Sequence, residues 1–145
     1  PLSEDETPKF RSLMMPTKSE AVQIFGSEVA SLTTPVVVED IANSENEENN
    51  AVELVLQAGC EHELGYEGIS LLELIGHIAY NSAYQKLRTE EQLGYIVSAF
   101  PRRISGGSHA LSVVVQSSST LPAKLEERCE AWLESFHKEL IGMPE

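Results

Sequence analysis

At 145 residues the chain has the size of one domain, ~100–150 residues being the commonest, and can bury a core without disulfides or metal as staples. Hydrophobic residues make up 41% and charged residues 23%, which excludes a disordered chain, and no apolar run approaches the ~18 residues that span a bilayer. Ten bases against 23 acids set a formal charge of −13, which argues against nucleic acid, whose phosphates call for clustered Lys and Arg.

Residues 1–9 read as an acidic tail, and 10–145 as a single domain. The ends carry neither an initiator Met nor a basic-then-apolar leader, so the expectation is a piece of a longer polypeptide with targeting signals elsewhere. The compartment stays open, with the cytoplasm as the default. Arg11–Met15, Ala21–Phe25 and Val36–Val38 are short strand candidates. Glu39–Asn50 has almost nothing to bury and is expected to be a solvated loop.

Ala51–Ala58 alternates as a strand with one buried face. Ser70-Leu71-Leu72-Glu73 has the pattern of a capping box, with Ile69 and Leu74 as its hydrophobic staple, so a helix is predicted from Ser70 to Leu87. Thr89 and Gln92 repeat the box and predict a restarted helical turn, closed by a left-handed Gly94. Tyr95–Pro101 and Leu111–Gln116 read as strands of a hairpin turning at Ser105-Gly106-Gly107-Ser108. Pro122 opens a last helix with Leu125, Cys129, Trp132, Phe136 and Leu140 down one face. The order predicts an α+β fold, a mostly antiparallel sheet with helices packed on one face.

Chemistry-bearing patterns are sparse. There is no phosphate loop, nucleophile elbow or H-x-x-E-H signature, and Cys60 and Cys129 lack metal-ligand spacing and are expected to be buried thiols. Glu61-His62-Glu63 offers ligand types in a row, but neighbouring side chains point apart on a helix or a strand. Charge is uneven: Ser19 to Gln85 holds twelve acids and no Lys or Arg, whereas Lys86 to Arg103 holds Lys86, Arg88, Arg102 and Arg103 against Glu90 and Glu91. Within that basic stretch Arg88 and Tyr95 flank a short, doubly capped connection. Such a joint either is a plain helix-to-strand corner or holds a guanidinium and a phenol where a substrate needs them.

Leu87 to Pro101, Leu-Arg-Thr-Glu-Glu-Gln-Leu-Gly-Tyr-Ile-Val-Ser-Ala-Phe-Pro, resembles the signature of the C-terminal half of the pitrilysin/insulysin family, large zinc peptidases with an inverted H-x-x-E-H motif. The likeness runs back through 51–58 and 70–87 and forward through Arg102-Arg103, the hairpin and the helix from Leu121, and leaves an acidic loop at about 26–50 that resembles an insertion. It implies four related α+β domains in two halves around a chamber, of which this chain is the fourth. The zinc and the glutamate base would belong to the N-terminal half, the partner of this one. Tyr95 would stabilise the tetrahedral intermediate and Arg88 would contact the bound peptide or that intermediate. The chain alone, lacking H-x-x-E-H, is expected to bind no zinc and to be inactive. Two other readings stay open: a non-catalytic scaffold of the same fold, and an acidic interaction module using Glu39–Asn50.

Overall fold

The computed structural model describes residues 35–40 and 48–143. The strand candidates Arg11–Met15 and Ala21–Phe25 lie outside the described residues. Val36–Val38 forms no strand: all three valines are exposed and the backbone there has no regular structure. A β-branched run marks a strand only where a partner and a core face are available, and this one has neither among the described residues.

Three antiparallel strands, β1 (Asn50–Cys60), β2 (Ile96–Ile104) and β3 (Ser108–Ser117), lie in the order β1-β3-β2. β1 and β3 extend past both predicted bounds and β2 past its predicted end, because pairing continues beyond the apolar alternation that reveals a strand in sequence, while β2 starts at Ile96, one residue after the Tyr95 expected to open it. The register aligns one face in three rows: Val97–Val115–Val52, Ala99–Val113–Leu54 and Pro101–Leu111–Leu56. The hairpin turn falls at Ser105–Gly107, where Gly106 and Gly107 take φ of 78° and 71°.

Two helices cover that face. The first, α1 (Glu61–Ala83), buries Leu72, Gly76, Ala79 and Ala83 and packs chiefly against β2. Its start corrects the sequence expectation. The chain turns into the helix at Cys60, whose N–H donates to Glu63 Oε2 at 2.9 Å, and the helix is kinked at Gly65 (φ 62°). Ser70 lies inside it and caps nothing, and Leu74, expected as half of the staple, is exposed, as is Leu71. The face carrying Leu72, Gly76, Ala79 and Ala83 turns to the sheet, where small residues let the helix come close. A Cβ at Gly76 would stand 2.5 Å from the Pro101 ring.

The second helix, α2 (Pro122–Ile141), buries Leu125, Cys129, Trp132 and Phe136 at the predicted spacing. Burying each large side chain is worth roughly 1.5–3 kcal/mol. Trp132 stacks on Phe136 at 5.2 Å and donates its Nε1–H to Ser82 Oγ at 3.1 Å, which ties α2 to α1. The fold is therefore α+β, with both helices on one face of an antiparallel sheet.

Candidate functional site

Between α1 and β2 the helix widens. Tyr84–Glu90 winds as a π-helix, with Glu91 N–H donating to Lys86 O at 3.0 Å instead of to a carbonyl one residue nearer. Short π segments of this kind recur at functional sites. The predicted fresh turn capped by Thr89 does not form: Thr89 Oγ1 reaches back to Tyr84 O at 3.4 Å, and the π-helix continues α1 without a break. The left-handed residue is also displaced from its predicted position. It is Gln92, at φ 52°, and not Gly94. Glycine is needed at 94 for a different reason, since a Cβ there would lie 2.1 Å from the Gln116 carbonyl oxygen.

The joint is held from several sides. Arg128 on α2 grips Glu91 with two N–H donors at 2.7 Å each, the fork-to-fork geometry that only arginine offers. Those hydrogen bonds are the largest cause holding the Glu91 carboxyl below its ordinary range, against an opposing push from burial. Thr120 Oγ1 donates to Leu93 O at 3.2 Å, and Tyr95 N–H donates to Gln116 O at 3.1 Å. Leu87 and Leu93 anchor the two sides of the joint in the core.

Arg88 is half-buried. Its Nη1 donates to the carbonyl of Gly94 at 2.7 Å, and its Cζ lies 5.8 Å from the centre of the Tyr84 ring. Lys86 and Arg128 end on carboxylates, whereas the contacts of Arg88 among the described residues are a carbonyl and an aromatic face. Its charge is oriented and not neutralised, as a guanidinium that meets a peptide carbonyl or an oxyanion must be. Tyr95 is 47% exposed, with its ring outside the core. Its hydroxyl donates to Asn49 Oδ1 at 3.0 Å. Arg88 and Tyr95 are thus brought to one corner of the sheet, on the two sides of Gly94.

The other patterns do not converge. Buried Glu61 faces Arg103 and, at 3.5 Å, His109, while Glu63 is turned to the Cys60 N–H. Among the described residues no three His, Cys, Asp or Glu stand together to hold a metal ion, so the donor set there does not fit zinc. Cys60 and Cys129 are buried and form no disulfide. Of Glu39–Asn50, residues 39, 40, 48 and 49 form no regular structure, Asn50 opens β1, and 41–47 lie outside the described residues.

Sequence reasoning missed Asn49, Tyr84 and Arg128. The four-residue spacing of Tyr84 and Arg88 was a usable signal. The partnerships of Asn49 and Arg128 span 46 and 37 residues, and no local pattern announces them.

The chain matches a family model described as PQQ synthase PqqF-like, C-terminal lobe domain 4, over residues 74–145. It is 31% identical over 102 residues to the insulin-degrading enzyme of Drosophila melanogaster, covering 69% of this chain and 10% of that protein. It is 42% identical over 74 residues to the insulin-degrading enzyme of Homo sapiens, covering 51% of this chain and 7% of that protein. A crystal structure of pitrilysin superposes with a TM-score of 0.56 at 25% identity, covering 87% of this chain and 14% of that one. The chain therefore spans a tenth or less of the length of these two curated relatives.

Proposed function

Since this chain belongs to the pitrilysin/insulysin family, we propose that it is the C-terminal-half domain of an insulysin-like zinc metalloendopeptidase that degrades short peptides. A fold alone hosts many functions, so the reading has to rest on the site. The observation that carries it is the corner at Gly94, which holds Arg88 and Tyr95 on either side of one peptide unit.

Each group suits acyl transfer. The phenol has one proton to offer an oxygen that gains negative charge in the transition state. The guanidinium keeps its charge and presents a planar fork to peptide carbonyls or to the same oxygen. Among the described residues the donor set does not fit zinc, so the proposal assigns the metal and the general base to the N-terminal half of the same polypeptide. Completing the site from two halves makes activity depend on closure around the peptide.

The test is cleavage of a quenched fluorescent peptide by the full-length polypeptide and by this chain alone, each with and without a zinc chelator. The expected result is cleavage by the full-length protein that the chelator abolishes, and none by this chain. A full-length protein inert in the presence of supplied zinc overturns the peptidase reading in favour of a scaffold.

A further inference from the structure

The hydrogen bond between Tyr95 and Asn49 crosses the sheet. Asn49 directly precedes Asn50, the first residue of β1, and Asn50 pairs with Ser117 at the end of β3. Tyr95 directly precedes Ile96, which pairs with Gln116 on the other side of β3. The two residues therefore approach from the outer strands, about 10 Å apart in the hydrogen-bonding direction. Their side chains nevertheless meet at 3.0 Å.

That span decides what Asn49 does for the phenol. The backbone of Tyr95 is fixed by its N–H on Gln116, but its side chain is 47% exposed and draws little orientation from packing. Its contact with Asn49 is made at the far end of the ring, where a small rotation moves the hydroxyl most. We propose that Asn49 is a positioning residue for Tyr95, holding the phenol at one aim and governing when its proton is released to a substrate; the inference rests on the role proposed for Tyr95.

The chemistry of the amide makes this specific. A phenol has one proton, and here it is donated to Asn49 Oδ1. To donate to an oxyanion, the hydroxyl turns about its C–O bond and gives up that acceptor. Asparagine is an uncharged acceptor, so it holds the proton by a neutral bond that an oxyanion, a charged acceptor, outcompetes. Aspartate, ionised at neutral pH, only accepts. It retains the proton through a charge-assisted bond, roughly twice as strong as a neutral one. Alanine leaves the ring without its distal contact. Glutamine keeps the neutral amide acceptor on a longer arm.

The experiment measures kcat and KM for a quenched fluorescent peptide on the full-length zinc-loaded protein carrying N49A, N49D or N49Q, in the native background and with Y95F. In the native background N49A lowers kcat about 3- to 10-fold, N49D lowers it about 10- to 100-fold, N49Q recovers most of the loss, and KM stays within about twofold. In the Tyr95→Phe background every Asn49 substitution changes kcat less than about twofold, because no phenolic proton is left to govern. A loss from N49D of the same factor in both backgrounds, with Y95F itself damaging, overturns the role of Asn49 and leaves that of Tyr95 standing. A harmless Y95F overturns both.

Discussion

The guanidinium of Arg88 is hydrogen-bonded at 2.7 Å to the carbonyl of Gly94, the residue to which Tyr95 is joined. One peptide unit thus carries the guanidinium on its oxygen and the phenol-bearing residue next in the chain, and a shift of either is felt by the other. Arg88→Ala removes the bond and the charge together. Hydrogen bonds to charged groups are worth about 1.5–3 kcal/mol, so kcat/KM for peptide cleavage by the full-length protein is expected to fall about 10- to 100-fold. Arg88→Lys should recover little, since an ammonium lacks the rigid planar fork that fixes one arm on Gly94 while the others face a substrate.

Tyr95→Phe keeps the ring and removes the donor. The expected loss is about 10²–10³ in kcat with KM little changed, the usual effect of deleting one oxyanion donor. Steady-state kinetics over a range of peptide concentrations separates the two. A rise in KM alone would make Tyr95 a ground-state contact.

Gly94→Ala places a methyl group against the Gln116 carbonyl, 2.1 Å from an atom of the central strand that has no freedom to withdraw. We expect a loss of about 1–3 kcal/mol in urea unfolding, as for other overpacked sites. Activity should fall further than stability accounts for, because the residue that moves is the one Arg88 holds. Gly65→Ala is the useful contrast: its Cβ would meet nothing within 4 Å, and its cost should come from φ alone.

The layout of these parts was readable in unequal measure. The stripe Leu125, Cys129, Trp132, Phe136 needed only a 3.6-residue period and a proline at the helix start, both local facts. The start of α1 misled because Ser70 and Glu73 satisfy a capping pattern that the helix bypasses, its entry being set by Gly65 and Glu63. At the joint, Arg88 and Tyr95 were singled out on a local argument about capping and on family resemblance. The capping argument misplaced the left-handed residue, since whether Gln92 or Gly94 bends depends on where β3 passes. Asn49 and Arg128 were invisible because their partners are settled by tertiary packing.

Acid should weaken the grip of α2 on the joint. Arg128 holds Glu91 below the usual carboxylate range, so the folded value lies under the unfolded one. The stabilisation is complete above the unfolded carboxylate pKa, ~4.3 for glutamate, and fades as pH falls through the lower folded value. Thermal melting followed from about pH 6 down to about pH 3 should show a decline that Glu91→Gln makes shallower. An unchanged decline would mean that the pair stabilises the folded and unfolded chains alike.

Cys129 is fully buried in the core, and burial, with nearby carboxylates, pushes its thiol up to about 11. Both shielding and the scarcity of thiolate oppose reaction. A thiol reagent at neutral pH should therefore label Cys129 only after urea unfolds the protein, as peptide mapping of the labelled site will report. Rapid labelling of the native protein would mean that α2 lifts from the sheet on the timescale of the assay.

The wide turn at Tyr84–Glu90 amounts to a residue of slack wound into a helix. Each residue of an α-helix turns the chain by about 100° and each residue of the wide turn by less, so the same residues wound as a plain α-helix would carry Arg88 round the axis away from Gly94. Exposed loops tolerate changes of length and winding with little effect. Here the winding from Ala83 to Tyr95 is itself under constraint, and a chain that kept every functional side chain but lost the wide turn would have its two key groups aimed in different directions.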